Sequence, residues 1–232
     1  MGFNRLADAA IDSRNPRTAM REIPTGVITR GEAVSFVAFS ALLFIFSSAM
    51  LSQICFWLSF PVLGFLFLYS YTKRFTWFSH IILGLAISLV PMAVWVAVTG
   101  AISFRIVLLS LALLCYISGF DVLYACQDAD FDRREGLYSI PAIFGIDKAL
   151  NIASLLHIIS ILCLISLYRA FSLSPVYLVF VGIIAFLFVI EHRLVRPTEI
   201  KEINISFYYV NSIISVLVFV ATLSGALLRN IS

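Results

Sequence analysis

The chain has 232 residues, of which 61% are hydrophobic and 12% are charged, and its mean hydropathy is +1.01. A soluble domain of this length does not need so many apolar residues, so the composition excludes an ordinary soluble protein. The net charge of +3 does not indicate a nucleic-acid partner, and we expect none.

Seven apolar runs are long enough to cross a membrane as helices. They cover residues 32–53, 55–72, 77–99, 102–126, 147–168, 174–192 and 204–228. Segments of alternating apolar and polar residues, which a strand-built membrane protein requires, are absent from the sequence. The sequence therefore predicts an all-α, polytopic transmembrane helix bundle, with a single domain over residues 1–232 and membrane lipid around it.

The basic residues indicate how these helices are oriented. With the N-terminus inside, the outside loops contain only Arg105, Arg169 and Arg229. The other 13 of the 16 basic residues lie inside: Arg5, Arg14, Arg17, Arg21, Arg30, Lys73, Arg74, Arg133, Arg134, Lys148, Arg193, Arg196 and Lys201. Such a bias is typical of cytoplasmic loops. We therefore expect a multi-pass protein of the inner (cytoplasmic) membrane with an outside C-terminus.

The polar segment before the first span carries an acidic cluster. Asn4, Asp8 and Asp12 are spaced by four residues, so on a helix they share one face and lie about 6 Å apart. Like charges at that distance repel each other, and a divalent cation is the simplest group that could hold them together. After the cluster, Pro16 and Gly26 predict a loop that leads into the first span.

The second span ends in the segment YSYTKRF, where aromatic residues precede the adjacent Lys73 and Arg74. This arrangement is typical of a membrane interface. Lys73 and Arg17 are our candidates for contacts with a diphosphate. Arginine suits bidentate phosphate contacts, whereas lysine acts as a point charge.

The fourth span leads into a second acidic cluster. Asp121, Tyr124, Asp128 and Asp132 fall on one stripe of a continuous helix, whereas Asp130 points away from it. Asp121 is the one acidic residue that lies well inside a predicted span, where a carboxylate is usually functional or paired. It either forms a hydrogen bond between helices, or accepts a proton or orients a substrate. The segment GLYSIPAIFG that follows is predicted to be a loop.

The repetition of the acidic spacing carries the functional prediction. A single pair of aspartates four residues apart is a weak motif, because ordinary interfacial helix ends often contain one. Two such pairs, about 120 residues apart, predict two Mg²⁺ sites, formed by Asp8 and Asp12 and by Asp128 and Asp132. Substrate phosphates commonly complete the coordination of Mg²⁺, and a diphosphate bridged by such ions becomes a good leaving group.

The cysteines and the histidine in the fifth span suggest no further chemistry. The four cysteines lie within or at the ends of apolar spans and lack metal-binding spacing, so we expect reduced core or lipid-facing residues: Cys55, Cys115, Cys126 and Cys163. His157 is likewise expected to be a core or lipid-facing residue.

At these motifs the chain resembles the UbiA superfamily of intramembrane aromatic prenyltransferases. The first signature of that family, NxxxDxxxD followed by Asn and Arg-Thr, is matched by Asn4, Asp8, Asp12, Asn15, Arg17 and Thr18. The second signature, YxxxDxxxD followed by Gly and Ser, is matched by Tyr124, Asp128, Asp132, Gly136 and Ser139. The YSYTKR segment is similar to a conserved stretch of the family and contains Tyr69, Tyr71, Lys73 and Arg74.

The resemblance implies a reaction and a set of site residues. The sequence around the first signature is similar to that of a bacterial branch of the family. Members of this branch transfer a polyprenyl group from polyprenyl diphosphate to 4-hydroxybenzoate, ortho to the hydroxyl, in ubiquinone biosynthesis. The implied cofactor is Mg²⁺, held by Asp8, Asp12, Asp128 and Asp132. The implied catalytic residues also include Asp121 and Tyr124, and the implied substrate-binding residues are Asn4, Arg17, Lys73, Arg74 and Tyr69. Members of the family normally have nine spans, so we expect seven of the nine here, without the first two.

Two alternatives stay open at this point. The first is the same chemistry on a different aromatic acid, a naphthoate, in menaquinone biosynthesis. The second is a transporter with acidic gates, which would require ionisable residues near the bilayer midplane and broken helices. Only Asp121 approaches that pattern, because the acidic pairs lie at one face of the membrane.

Overall fold

A computed structural model of the protein describes residues 2–195 and 204–230, and every regular element in these ranges is helical. In chain order the elements are α1 (Gly2–Ala7), α2 (Ala9–Asp12), α3 (Arg30–Leu51), α4 (Gln53–Thr72), α5 (Ser79–Thr99), α6 (Phe104–Ala125), α7 (Ala129–Arg134), α8 (Ile140–Phe144), α9 (Ile146–Ala170), α10 (Val176–Leu194) and α11 (Asn204–Leu227). Seven of them are long and apolar enough to cross a membrane. This confirms the predicted helical membrane bundle, and every predicted span end lies within two residues of a helix end.

The ends of the long helices follow from local sequence. α3 begins with a capping box, in which the side chain of Thr29 accepts from the Glu32 N–H and Glu32 accepts from the Thr29 N–H. A single extended residue, Ser52, separates α3 from α4 and caps α4 through the Cys55 N–H. α5 ends at Gly100, whose φ of 69° is the left-handed conformation that favours glycine.

α6 lies at the centre of the bundle. It packs between α5 and α9, and it is the most buried of the long helices, whereas α3 is the least buried. One apolar core, which includes Tyr116, Leu164 and Ile184, joins α6 to α9, α10 and α11. A second core surrounds Val122 and Leu123 near the end of α6. The end of α6 that carries the second acidic motif is therefore supported on several sides.

Two glycines bring the central helices into close approach. A Cβ atom on Gly84 of α5 would lie 2.1 Å from Ser118 Oγ and 2.6 Å from the Leu114 carbonyl of α6. A Cβ atom on Gly119 of α6 would lie 2.5 Å from the ring of His157 on α9. Small residues at such crossings are typical of membrane helix packing. They fix the register of α5 and α9 against α6.

Two local predictions differ from the structure. The helix that carries the second motif is not continuous, because a 3₁₀ turn at Cys126–Asp128 separates α6 from α7. The segment GLYSIPAIFG contains the short helix α8, whose start is capped by the Ser139 side chain and whose first turn contains Pro141. Both features favour a helix start, and a loop prediction overlooks them. Arg196 and Lys201, two of the predicted inside residues, lie outside the described residues.

Candidate active site

The two acidic motifs meet at one end of the bundle. The Asn15 side chain donates to Asp128 Oδ1 over 3.0 Å, and Arg17 Nε donates to the same oxygen over 2.9 Å. Arg17 also forms an ion pair with the other oxygen of Asp128 and a hydrogen bond with the hydroxyl of Tyr124. Residues more than 100 positions apart in the sequence thus share one polar network, which supports the prediction of a joint site.

The aspartates of the first motif are buried and paired. Asp8 accepts from the Asn4 side chain at 3.1 Å and from Arg74 at 3.3 Å. Asp12 accepts two hydrogen bonds from Arg21, at 2.9 and 2.8 Å. Three of the four predicted metal ligands, Asp8, Asp12 and Asp128, therefore each have an arginine as counter-charge, in positions where the sequence predicts a divalent cation.

The protonation of this region follows from burial and charge. Burial raises the pKa of Asp8 above its ordinary value of 3.8, although the charge of Lys73 and the hydrogen bond from Arg74 act in the opposite direction. For Arg17, burial lowers the pKa, but the hydrogen bond and the charge of Asp128 outweigh it, so the pKa of Arg17 is raised. The Arg17 guanidinium therefore remains charged in its pair with Asp128.

The two motifs share a backbone feature that the sequence did not predict. The first aspartate of each motif interrupts its helix, with φ −93° and ψ 4° at Asp8 and φ −100° and ψ 1° at Asp128. These angles lie in the bridge region, which is sparsely populated and is common at active sites. Asp8 and Asp128 thus stand at the junctions between α1 and α2 and between the 3₁₀ turn and α7, and the strict four-residue stripe is broken at the same position in both motifs.

Asp132 differs from the other three aspartates. It is only 4% exposed, and within the described residues its Oδ1 atom has no hydrogen-bond partner. The charge of Lys73 acts on both Asp132 and Asp8 and lowers the pKa of each carboxyl group. Asp130, in contrast, is almost fully exposed and pairs with Arg133, which agrees with the prediction that it points away.

These residues fit Mg²⁺ if a substrate completes the site. In the part of the chain that the structure describes, no three His, Cys, Asp or Glu residues converge closely enough to hold an ion by themselves. Each motif does offer two carboxylates, and the unpartnered oxygen of Asp132 is the kind of ligand that Mg²⁺ prefers. Mg²⁺ is commonly bound through one or two carboxylates plus water and phosphate oxygens. The candidate ligands are therefore Asp8, Asp12, Asp128 and Asp132.

Asp121 lies deeper in the bundle, two turns before Asp128, and its side chain is 27% exposed. Tyr69 of α4 lies within electrostatic range of both Asp121 and Asp8. His80 of α5 contacts Asp121 through its Nδ1 atom at 2.6 Å. Sequence analysis assigned no role to His80, although a polar residue at the start of an apolar span is a signal that the residue faces other helices.

A second buried polar cluster was also missed. Sequence analysis assigned no role to Glu191, which lies near the end of α10 and is 0% exposed. Its Oε2 atom lies 3.8 Å from His157 Nδ1, and that same nitrogen is 3.1 Å from His192 Nε2. His157 is a core residue, one of the two options predicted for it. The cluster packs on the side of α6 that carries Gly119.

Comparisons with known proteins agree with the motifs. A model described as the UbiA prenyltransferase family matches residues 1–223. The 4-hydroxybenzoate octaprenyltransferase of Alcanivorax borkumensis is 33% identical over 85% of this chain and 68% of its own length. Across eight of the curated relatives that match, this chain covers between 48% and 77% of the relative's length.

Solved structures agree as well. The apo structure of a UbiA homolog from Aeropyrum pernix has a TM-score of 0.84 and 30% identity, and it covers 96% of this chain and 84% of that chain. A UbiA homolog from Archaeoglobus fulgidus, bound to GPP and Mg²⁺, shares the fold with a TM-score of 0.71 and 18% identity, over 99% of this chain and 82% of its own.

Proposed function

Because this chain belongs to the UbiA prenyltransferase family, we propose that it transfers a polyprenyl group from polyprenyl diphosphate to 4-hydroxybenzoate, at the ring carbon ortho to the hydroxyl. The family assignment makes the chain a multi-pass membrane prenyltransferase and removes the transporter alternative. We also propose 4-hydroxybenzoate as the acceptor, Mg²⁺ as the cofactor and a place in ubiquinone biosynthesis.

The observation that carries the proposal is the union of the two acidic motifs through Asn15, Arg17 and Asp128. One end of the bundle carries four carboxylates and four basic side chains, those of Arg17, Arg21, Lys73 and Arg74. The region therefore combines sites for cations with sites for anions. A diphosphate bound to cations is the ligand that this mixture suits best. Its isoprenoid tail is apolar and would extend along the bundle, which explains why such a site belongs in a membrane protein.

The basic side chains act on the donor in this proposal. Lys73, close to both Asp8 and Asp132, provides a point charge between the motifs. Arg74 and Arg17 provide planar donors that suit phosphate oxygens. When bound, Mg²⁺ supplies further charge that stabilises the departing diphosphate. Arg17 and Arg74 pair with Asp128 and Asp8, so both guanidinium groups already lie beside carboxylates that this proposal assigns to the cations.

Asp121 acts on the acceptor in this proposal. It lies on the membrane side of Tyr124 and Asp128 and has no arginine or lysine partner among the described residues. A carboxylate in that position suits a phenol hydroxyl, which can donate to it, better than it suits a diphosphate. A hydrogen bond from the phenol raises electron density at the ortho carbon, where the new bond forms, and the carboxylate is a base for the released proton.

Support for the 4-hydroxybenzoate acceptor comes from the names of the curated relatives, and the test is direct. Membranes that contain the chain are mixed with a polyprenyl diphosphate, Mg²⁺ and either 4-hydroxybenzoate or a hydroxynaphthoate. We expect prenylated 4-hydroxybenzoate and an equal amount of released diphosphate, both abolished by EDTA. Product from the naphthoate alone would replace the acceptor in this proposal, and no product from either acid would contradict the proposed reaction.

We also propose that the site faces the cytoplasm across the inner membrane, because 13 of the 16 basic residues are assigned to one side. Single cysteines replace exposed residues in a chain that lacks the four native cysteines: Ser13→Cys, Asp130→Cys and Ala101→Cys. On intact cells an impermeant thiol reagent should label only the cysteine at position 101, and lysis should expose the other two. The reverse pattern would invert the orientation.

A further inference from the structure

His80 is a buried side chain that uses both ring nitrogens. It is 4% exposed, its Nδ1 atom lies 2.6 Å from Asp121 Oδ2, and its Nε2 atom lies 3.3 Å from the backbone nitrogen of Ile140. These contacts come from three elements, because His80 belongs to α5, Asp121 to α6 and Ile140 to α8. His80 thus connects the segment after the second motif with the deep carboxylate.

The backbone contact fixes the direction of both hydrogen bonds. Ile140 is the first residue of α8, so its N–H has no partner within the helix and needs an external acceptor. His80 Nε2 is that acceptor, which leaves Nδ1 as the nitrogen that carries the hydrogen. Nδ1 therefore donates to Asp121 Oδ2, and this bond leaves Oδ1 as the carboxylate oxygen that can accept from another group.

Helix packing determines that the two residues meet. The close approach of Gly84 to Ser118 fixes the register of α5 against α6. His80 precedes Gly84 by four residues and Asp121 follows Ser118 by three, so both side chains lie one turn from the crossing, on the same side of it. The helix register set at Gly84 and Ser118 therefore brings His80 and Asp121 within contact distance.

We propose that His80 is a positioning residue, which holds one oxygen of Asp121 so that the other is directed at the hydroxyl of the aromatic acceptor. This inference rests on the proposed function and deepens it, because it assigns recognition of the phenol to a pair of side chains. A carboxylate held by a donor keeps one orientation, so the acceptor hydroxyl meets a fixed oxygen. Without His80, Asp121 rotates freely and the aromatic ring loses its alignment with the donor.

A matched pair of substitutions separates this role from a purely structural one. The amide nitrogen of His80→Asn reaches the place of Nδ1, so this variant keeps the donor to Asp121 and loses the acceptor for Ile140. The amide of His80→Gln reaches the place of Nε2 and does the opposite. We expect kcat/KM for the acceptor to fall about tenfold to a hundredfold in His80→Gln and less than about threefold in His80→Asn. KM for the polyprenyl diphosphate should change little in both.

The double variant gives the second readout. If His80 acts through Asp121, His80→Gln should cost almost nothing further in an Asp121→Asn background, because the two losses are not additive. Equal damage from His80→Asn and His80→Gln, or additive losses in the double variant, would overturn the inference and show that His80 only supports α8. Thermal unfolding of each purified variant shows whether it still folds. If His80→Gln does not fold, kcat/KM of a folded His80→Asn tests the inference: a small loss supports it and a large loss overturns it. A native chain that prenylates no aromatic acid would contradict the proposed function, and this inference with it.

Discussion

The two acidic motifs are held in place by different forces. The second motif continues from α6, where Val122 and Leu123 are fully buried, and it is fixed by apolar packing against α8 and α9. The first motif lies on α1, which has no buried residue, and on α2, which buries only Ala9 and Asp12. It is held by polar contacts with Asp128 and Arg74 and by ring contacts of Phe3 with Phe67 and Tyr71 of α4. Buried apolar packing thus determines where the second motif lies, whereas polar contacts and partly exposed rings hold the first motif against it.

The largest difference should appear in stability. Leu123→Ala removes a fully buried side chain under the second motif and should lower the free energy of unfolding by about 2–5 kcal/mol. Leu6→Ala, on the partly exposed α1, should cost less than about 1 kcal/mol. Unfolding of both variants in the same detergent checks this. Equal losses would show that the first motif is also held by packing.

The second comparison concerns the carboxylates themselves. Asp128→Asn and Asp12→Asn retain the side-chain size and remove the charge that a divalent cation needs, so each should lower turnover by at least about a hundredfold, roughly 2.7 kcal/mol of barrier. Asp130→Asn is the matched control, because the same change is made in the second motif at an exposed side chain. Prenylated product is measured at equal protein levels. Turnover close to that of the native chain in both variants would contradict the proposal of two metal sites.

The third prediction addresses the polar contacts that hold the first motif. Arg17→Lys loses the paired contact with Asp128 and the hydrogen bond to Tyr124, because lysine cannot reproduce the planar fork of arginine. We expect kcat/KM for the donor to fall about tenfold, which is about 1.4 kcal/mol. Arg21→Lys changes a pair within the first motif and should have a smaller effect. If Arg21→Lys were the more damaging, the contact between the motifs would not be the important one.

The smallest predicted effect is a shift in pH dependence. Asp8 must lose its proton to bind a cation, and burial raises its pKa, so activity should fall on acidification at a pH above the ordinary aspartate range. The positive charge of Lys73 lowers the pKa of Asp8. Its removal in Lys73→Met should raise that pKa and move the acid limb of the kcat/KM profile to higher pH. Lys73→Arg keeps the charge and should leave the limb in place; a limb unchanged in both variants would mean that another group controls it.

The sequence predicted the membrane helices well and the contacts between them poorly. Long apolar runs mark their own ends, so the spans and the two motifs could be located without a structure. The arginine partners of the aspartates could not. Arg21 and Arg17, the partners of Asp12 and Asp128, lie in a loop of about 17 residues that folds over the end of the bundle, and the partner of Asp8, Arg74, comes from the end of α4. The contact between His80 and Asp121 depends on the helix register set at Gly84, which leaves no periodic signal in the chain.

The burial of Glu191 was missed for a related reason. The predicted span 174–192 ends next to Glu191, and a charged residue at the end of a span usually faces the membrane interface, so its burial was not expected. Its position against His157 and His192 arises from the pairing of α9 with α10. The apolar sequences of these two helices do not indicate which other helices they pack against. In the same way, the interruption of both motifs at Asp8 and Asp128 could not be read from a spacing that suits a regular helix.

The low burial of α3 has a practical consequence for the choice of solubilising agent. Most of the large apolar side chains on this helix face outward, and its protein contacts are mainly with α4 and α1. In a bilayer, lipid chains would therefore cover the outward face of α3, whereas neighbouring helices cover α6. A harsh, short-chain detergent should release α3 first and disturb α1 with it, so that turnover disappears while circular dichroism still reports a helical protein. Nanodiscs, which retain a bilayer edge around the chain, are the preparation in which the first motif should keep its place.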